Sequence, residues 1–283
     1  MADSVPLVIY LDFDGTIIGD ITPQVTEWEI VSKFCPKELK AYKESIRADV
    51  AVGNIMRTGL PKMLSAIKSA HPNVEFYIYT ASDGVWANTV VPCVEAAANI
   101  QINRPILSRK NCIQATLEKS LRLIAPIVYR RLKTAYPALK NADQVYQNSI
   151  LIDNTDVLID EERHRCIQCP TYNGIYWTDL LRHVPMETQK RNYLELSILL
   201  RSVGLFPKIS SKEPFAFDEF RAMYYHALAE HIKSSLKDRK KNKSDNLWPI
   251  LTKLLLNARI DKGLGDSTAK YLKKKLANAM HVS

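Results

Sequence analysis

The chain has 283 residues, of which 46% are hydrophobic and 24% are charged. This length and composition support a packed core, which excludes disorder for most of the chain and predicts about two domains. No apolar run approaches the roughly 18 residues of a membrane span, and acidic residues come too early for a signal peptide. The five cysteines are an odd number scattered along the chain, as is usual for reduced thiols. We therefore expect a soluble intracellular protein, cytoplasmic or nuclear, that does not bind membranes.

The net charge of +9 is unevenly distributed. Residues 1–186 contain 20 basic and 20 acidic side chains, whereas residues 187–283 contain 19 basic and 10 acidic ones. The whole excess therefore lies in the last third of the chain, which predicts one neutral part and one part that attracts polyanions. We accordingly expect one domain over 1–185 and a basic helical domain over 186–283.

Short apolar runs in the neutral part each stop at a polar cluster. These runs are Val8–Leu11, Val74–Tyr79 and Ile150–Ile152. Nearly continuous apolar runs are typical of strands buried on both faces of a parallel sheet. Stretches with helical periodicity separate them, namely Glu27–Phe34, Leu60–Ala70, Ala87–Ala98 and Leu121–Tyr136. This alternation predicts an α/β fold with a doubly wound parallel sheet, closed by one more strand or turn within Thr171–Trp177.

The basic part has the pattern of an all-helical appendage. Residues 188–203, 215–237, 247–259 and 267–280 are amphipathic at helical spacing, with glycine and proline between them. Four lysines fall largely on one face of the last predicted helix: Lys270, Lys273, Lys274 and Lys275. This face is either a site for nucleic acid or an acidic protein, or a solvated surface with no partner.

Acidic and hydroxyl side chains follow the predicted strands. Asp12 and Asp14 follow the first apolar run, Thr80 ends the second, and Asp153 ends the third. Because ligands bind beyond the carboxyl ends of parallel strands, we expect these side chains to lie close together. Carboxylates held together repel unless a cation neutralises them, and oxygen ligands favour Mg²⁺. We interpret Asp156 as a capping residue.

The motifs of the chain resemble those of the haloacid-dehalogenase-like phosphohydrolases. They are Asp12-Phe13-Asp14-Gly15-Thr16, Tyr79-Thr80-Ala81-Ser82, Lys119-Ser120-Leu121 and Ile152-Asp153-Asn154. Together with Arg109-Lys110-Asn111-Cys112, they resemble the branch that contains the RNA polymerase II C-terminal-domain phosphatases and the NLI-interacting-factor-like phosphatases. The resemblance covers about residues 6–180 and does not reach the basic tail. That branch usually has glutamate where this chain has Gly15, which is the pattern of the wider superfamily.

The resemblance implies a phosphatase that works through an aspartyl-phosphate. Asp12 would be the nucleophile, and Asp14 would donate a proton to the leaving group and later accept one from water. Mg²⁺ would be bound by Asp12, the main-chain carbonyl of Asp14 and Asp153, with Asn154 orienting a metal-bound water.

The remaining site residues would stabilise the phosphoryl oxygens. Thr80 and Lys119 would do so with their side chains. Because the stretch from Lys119 to Asp153 is longer than usual for the family, Lys110 and Lys133 are alternatives for the lysine. The other expected substrate-binding residues are Phe13, Gly15, Thr16, Ala81 and Ser82.

The sequence leaves three functions to distinguish. The gaps from Thr16 to Val74 and from Ser82 to Lys119 are too short for a full cap domain, although a helical lid over residues 27–52 would fit. An open site suits phosphates displayed on a macromolecule, so the leading hypothesis is a phosphoserine or phosphothreonine protein phosphatase. The alternatives are a polynucleotide or nucleotide phosphatase and a non-catalytic scaffold on the same fold.

Overall fold

The computed structural model describes residues 4–206, 215–242, 245–258, 260 and 263–281. These residues contain a five-stranded sheet in which every neighbouring pair of strands is parallel. The strands are β1 (Leu7–Leu11), β2 (Val74–Tyr79), β3 (Asn103–Leu107), β4 (Ser149–Asp153) and β5 (Cys166–Gln168). Their order across the sheet is β3-β2-β1-β4-β5, so β1 lies at the centre. The prediction of an α/β fold with a doubly wound parallel sheet is confirmed.

The strands that the sequence predicts are those with uninterrupted apolar runs. All residues of β1 and β4 are buried, as expected for strands that are covered on both faces. β3 was not predicted because Asn103, Arg104 and Pro105 make its first residues polar or unfavourable for a strand. β5 has only three residues, too few for a periodic signal. The expected strand or turn within Thr171–Trp177 is absent from these described residues, which have no regular secondary structure.

Helices connect the strands and form the C-terminal part. They are α1 (Thr22–Phe34), α2 (Leu39–Ala51), α3 (Leu60–Ala70), α4 (Gly84–Ala98), α5 (Leu121–Leu132), α6 (Ala142–Gln147), α7 (Met186–Ser202), α8 (Phe217–Asn242), α9 (Leu247–Asn257) and α10 (Asp266–His281). α1 begins before the expected Glu27 because Pro23 fits the first turn of a helix. α4 begins early because the Asp83 carboxylate accepts a hydrogen bond from the Val85 N–H and caps the helix. No helix in the described ranges is long and apolar enough to cross a membrane.

The chain forms two compact units that are each discontinuous in sequence. The first consists of Met1–Ile18, Met56–Tyr172 and Asp245–Ser283, and the second consists of Gly19–Ile55 and Asn173–Ser244. Residues 186–283, which were expected to form one helical domain, are therefore shared between the two units. The boundary at residue 185 stays a prediction about independent folding.

The first unit contains the sheet together with the last two helices. α5 packs on one face of the sheet, and its Ile124 and Val128 join a core with Tyr10 and Tyr79. α9 packs against α3, and α10 packs against α9 and the edge strand β5. An edge strand covered by a helix is protected from pairing with other chains.

The second unit is built from α1, α2, α7 and α8. Its core is rich in aromatic side chains, including the stacked rings of Phe220 and Tyr224. The Glu27 carboxylate is fully buried and accepts hydrogen bonds from Arg182 at 2.7 and 3.0 Å. Burial raises the pKa of Glu27 to about 7, although Arg182 acts in the opposite direction. α1 and α2 lie in the part of the sequence where a helical lid over residues 27–52 is expected, and their role as a lid stays a prediction.

The packing of α10 predicts that the tail contributes to the stability of the first unit. Leu272 is fully buried, so Leu272→Ala should lower the free energy of unfolding by about 2–5 kcal/mol in a urea titration. Leu123 in α5 is 51% exposed, and Leu123→Ala should change it by no more than about 0.5 kcal/mol. A cost below about 1 kcal/mol for Leu272→Ala would contradict the integration of α10 into this unit.

Candidate active site

A buried ammonium group lies between two carboxylates at the carboxyl edge of the sheet. Lys119 Nζ lies 2.7 Å from Asp12 Oδ1 and 2.7 Å from Asp153 Oδ2. Asp12 follows β1 and Asp153 ends β4, and these strands are neighbours with Leu11 opposite Ile152. Since adjacent parallel strands end at the same edge, the two carboxylates reach the same cation. The structure thus brings together the two carboxylates that the sequence placed at this edge.

The main chain fixes the position of Lys119. Its N–H donates to the Val157 carbonyl at 2.8 Å, and its own carbonyl accepts from the Ile159 N–H at 3.1 Å. Lys119 is 1% exposed, whereas Lys110 and Lys133 are exposed. Of the three lysines considered, Lys119 is the one that contacts Asp12 and Asp153.

Glu162 supports the helix that follows Lys119, and sequence reasoning missed it. Its buried carboxylate accepts hydrogen bonds from Ser120 Oγ at 3.0 Å and from the Leu121 N–H at 2.6 Å. These bonds satisfy donors at the N-terminus of α5. Glu162 lies in an acidic run that resembles a solvated surface, so the sequence carries no signal for this role.

Burial and the neighbouring charges shift the pKa values of Asp12 and Lys119. Burial raises the pKa of Asp12 to about 7, and Asp153 adds to this, while Lys119 acts in the opposite direction. Burial disfavours the Lys119 ammonium, but the carboxylates of Asp12 and Asp153 outweigh it and raise the pKa of Lys119 above its usual value. Lys119 is therefore a permanent cation that can stabilise negative charge next to Asp12.

Two hydroxyl groups hold the second aspartate of the first motif. Thr80 Oγ1 donates to Asp14 Oδ2 at 3.1 Å, and Ser82 Oγ makes a short hydrogen bond to the same oxygen. Burial raises the pKa of the Asp14 carboxyl, while the hydrogen bonds from Ser82 and Thr80 act against this increase. Asp14 is thus a fixed carboxyl group with an enhanced tendency to carry a proton at neutral pH.

Gly15 is required by the backbone and by Asn154. Its φ of +78° lies in the left-handed region, and a Cβ there would lie 2.8 Å from Asn154 Nδ2. Thr16 Oγ1 donates to Asn154 Oδ1 at 3.3 Å and accepts from the Asn154 N–H at 3.0 Å. A side chain at position 15 would therefore adopt a strained backbone conformation and lie against the Asn154 amide, so glycine fits this position.

Several expected substrate-binding residues contact the protein instead. The Phe13 side chain is fully buried, and the Gly15 N–H donates to the Ile18 carbonyl at 2.8 Å. The Ala81 carbonyl accepts from Arg109 Nε at 2.9 Å. Packing therefore occupies the Phe13 side chain and turn formation occupies the Gly15 amide, and the expected contacts of both residues with a substrate stay predictions. The roles of Thr16, Ala81 and Ser82 toward a substrate stay predictions.

The donor set at this edge fits Mg²⁺. The described residues contain no group of three or more histidine, cysteine, aspartate or glutamate side chains that could hold a metal. Mg²⁺ commonly takes only one or two carboxylates and completes its shell with water and phosphate oxygens. The carboxylates of Asp12 and Asp153, which already share the charge of Lys119, provide such an all-oxygen set.

The hydrogen bond from Ser82 predicts a measurable change at Asp14. Ser82→Ala removes a donor that stabilises the ionised carboxylate, so the pKa of Asp14 should rise. A ¹³C NMR titration of the aspartate carboxyl groups measures this pKa directly. Ser65→Ala, at an exposed serine of α3, is the control and should leave it unchanged. A pKa of Asp14 that stays constant or falls in Ser82→Ala would contradict this assignment.

Comparisons with known proteins give a family match and two similar solved structures. The model of the NLI interacting factor-like phosphatase family matches residues 7–195, which is more than half of the chain. A solved structure of Fcp1, an essential RNA polymerase II CTD phosphatase, is similar at 16% identity and a TM-score of 0.36, over 84% of this chain and 66% of that chain. A fission yeast Fcp1 variant bound to beryllium fluoride is similar at 17% identity and a TM-score of 0.35, over 84% of this chain and 67% of that one.

The chain spans about two thirds of the length of these two structures. No curated protein sequence gives a significant match. The family match covers the sheet and all the residues of the candidate site, and the sequence-based prediction of a phosphatase is thereby confirmed at the level of the family. The chain belongs to the NLI interacting factor-like phosphatase family.

Proposed function

We propose that the protein is a Mg²⁺-dependent phosphatase that hydrolyses phosphomonoesters through an aspartyl-phosphate. The observation that carries this proposal is the Asp12 carboxylate held 2.7 Å from the buried ammonium of Lys119 at the mouth of the sheet. A carboxylate in this setting is oriented for attack, and the cation beside it can stabilise the charge that develops on a phosphoryl group.

In the first half-reaction Asp12 attacks the phosphorus of the ester. A bond forms between an Asp12 carboxylate oxygen and phosphorus while the bond from phosphorus to the leaving oxygen breaks. Asp14 gives its proton to that leaving oxygen, which departs as an alcohol. The burial that raises the pKa of Asp14 favours the protonated form that this step needs. Thr80 and Ser82 hold the carboxyl group in place.

In the second half-reaction water hydrolyses the aspartyl-phosphate. Asp14, now ionised, accepts a proton from the water as its oxygen attacks phosphorus. The bond between phosphorus and Asp12 breaks, inorganic phosphate leaves, and both carboxyl groups return to their initial states. Lys119 faces the same oxygen of Asp12 throughout and stabilises the charge there.

Asp12, Asp153 and the main-chain carbonyl of Asp14 would hold the Mg²⁺, with Asn154 orienting a bound water. When bound, the ion neutralises the repulsion between the Asp12 carboxylate and the anionic substrate. Thr16 fixes Asn154 through two hydrogen bonds. This arrangement is consistent with the supporting role proposed for Asn154.

The substrate class that we propose is a phosphoserine or phosphothreonine in a protein. Support comes from the motifs of the chain, which resemble those of the branch that contains the RNA polymerase II C-terminal-domain phosphatases. A polynucleotide or nucleotide phosphatase is the alternative, and the basic tail is the feature that favours it. A non-catalytic scaffold is disfavoured because both aspartates of the first motif are present.

The five free thiols support an intracellular location, cytoplasmic or nuclear.

The assignment of Asp12 predicts the effect of removing its charge. Asp12→Asn should lower phosphate release from a small aryl phosphate at least about a thousandfold in the presence of Mg²⁺. Chelation of Mg²⁺ should have a similar effect on the wild-type protein. Asp156 follows β4, the strand that Asp153 ends, but lies at the surface, 4.0 Å from Arg163, so Asp156→Asn should stay within about twofold of wild type. Full activity of a folded Asp12→Asn variant would refute the proposal.

The exposed face of α10 supports a polyanionic partner for the tail. Ala269, Leu272 and Leu276 are buried, whereas Lys270 and Lys274 lie on the exposed side. The helix carries four lysines against one acidic side chain, that of Asp266. Charge of one sign on the free face of a packed helix attracts acidic proteins or nucleic acid. We therefore propose that α10 recruits such a partner.

Charge reversal on α10 tests this recruitment. Lys270→Glu/Lys274→Glu should weaken binding of a labelled polyglutamate peptide or a single-stranded oligonucleotide at least about fivefold at low salt. The control is Lys62→Glu/Lys133→Glu, two exposed lysines elsewhere in the first unit. The probe that binds more tightly indicates the partner class. Equal losses in both variants, or no binding of either probe to the wild type, would contradict the proposal.

A further inference from the structure

Arg57 carries a buried charge that is not part of the proposed reaction. Its side chain is 1% exposed, so the guanidinium needs protein partners to replace water. Arg57 Nε lies 2.8 Å from Asp245 Oδ2, and Arg57 Nη1 donates to the Pro170 carbonyl at 3.0 Å. The ring of Tyr172 lies 5.5 Å from the guanidinium carbon. One buried cation therefore contacts both the segment over residues 169–172 and Asp245, which lies two residues before α9.

The segment over residues 169–172 contacts the candidate site at three points. The Cys169 N–H donates to the Asp153 carbonyl at 2.8 Å, and the Tyr172 N–H donates to the Gly15 carbonyl at 2.8 Å. Asn154 Nδ2 donates to Thr171 Oγ1 at 3.2 Å. The segment has no regular secondary structure, so it depends on such contacts for its position.

The main chain of Arg57 is tied to the same region. Its N–H donates to the Ile17 carbonyl at 2.9 Å. Ile17 directly follows residues 12–16, the loop that carries Asp12 and Asp14 and that we call the aspartate loop. Arg57 thus contacts the end of this loop through its backbone and the segment over residues 169–172 through its side chain. Arg57 therefore links the loop after β1 to the segment that contacts Asp153 at the end of β4.

We infer that Arg57 is a positioning residue for the aspartate loop, and that Asp245 is the counter-ion that holds it. The C-terminal part of the chain would then contribute to the geometry of the site as well as to partner binding. The catalytic part of this inference rests on the proposed phosphatase function. Loss of Asp245 would leave a buried charge without its partner, which is costly and would release the segment over residues 169–172.

A second buried arginine provides a matched comparison. Arg165 forms an ion pair with Asp266 at the start of α10. Its guanidinium donates to the carbonyls of Tyr146 at 3.0 Å and Ser149 at 3.1 Å. Ser149 begins β4, whereas Asp153 ends it. Both ion pairs therefore hold a C-terminal helix against the rest of the first unit. Of the two, the Arg57 pair lies at the end of β4 that carries the site.

The test compares Asp245→Asn with Asp266→Asn in the full chain. Hydrogen–deuterium exchange of the Cys169 and Tyr172 amides should become at least about tenfold faster in Asp245→Asn and change less than about twofold in Asp266→Asn. With a small aryl phosphate, Asp245→Asn should lower kcat at least about tenfold with little change in KM, while Asp266→Asn retains kcat. Thermal unfolding of both variants measures the shared loss of stability.

Equal exchange at residues 169–172 in the two variants would overturn the inference, as would losses of kcat that simply follow the melting temperatures. If Asp245→Asn does not fold, Arg57→Lys is the second variant. It keeps the buried charge but has fewer hydrogen-bond donors, and it should show the same local increase in exchange. The exchange measurement needs no turnover. An inactive wild-type protein would therefore refute the proposed function, while the exchange data would still decide whether Asp245 and Arg57 hold the segment over residues 169–172.

Discussion

The site depends on one buried cation shared by two carboxylates. Removing a carboxylate or an ammonium group from water is costly, and Lys119, Asp12 and Asp153 offset this cost only as a set. The same constraint fixes the geometry, because a lysine that touches both carboxylates holds the side chains of Asp12 and Asp153 at one point. Parallel pairing of these two strands places the carboxylates at one edge of the sheet. Main-chain hydrogen bonds of Lys119 to Val157 and Ile159 place the ammonium between them. Preorganised charge of this kind is what phosphoryl transfer requires.

The groups that surround this cluster come from distant parts of the chain. Glu162 caps the helix after Lys119, and Thr16 fixes Asn154. Asp245 pairs with Arg57 across 188 positions of sequence. The C-terminal helices of the first unit therefore contribute to packing and, in our proposal, to partner binding. α9 packs on α3, α10 packs on the edge strand β5, and in our proposal Asp245 near the start of α9 supports the aspartate loop, while the exposed lysines of α10 are available to partners.

The sequence predicted the parts of the fold that have a local signal. Apolar runs that end in aspartate or threonine identified β1, β2 and β4, and their common edge placed Asp12 near Asp153. β3 escaped because its polar first residues conceal a strand. Glu162 and Asp245 could not be predicted, because their partners lie 41 and 188 positions away and charged residues in polar stretches resemble a solvated surface. The spacing of the motif residues also does not reveal that the Gly15 N–H donates a hydrogen bond within its own turn. The chemical roles of the site residues stay predictions.

The central claim is that Asp12 becomes phosphorylated during turnover. The most direct measurement is mass spectrometry of protein quenched in acid during steady-state hydrolysis of an aryl phosphate, with borohydride reduction to mark the acyl phosphate. Our account predicts a phosphoryl group on Asp12, reduced to homoserine at that position, and none on Asp14. Turnover without modification of Asp12, or modification of a different residue, would contradict it.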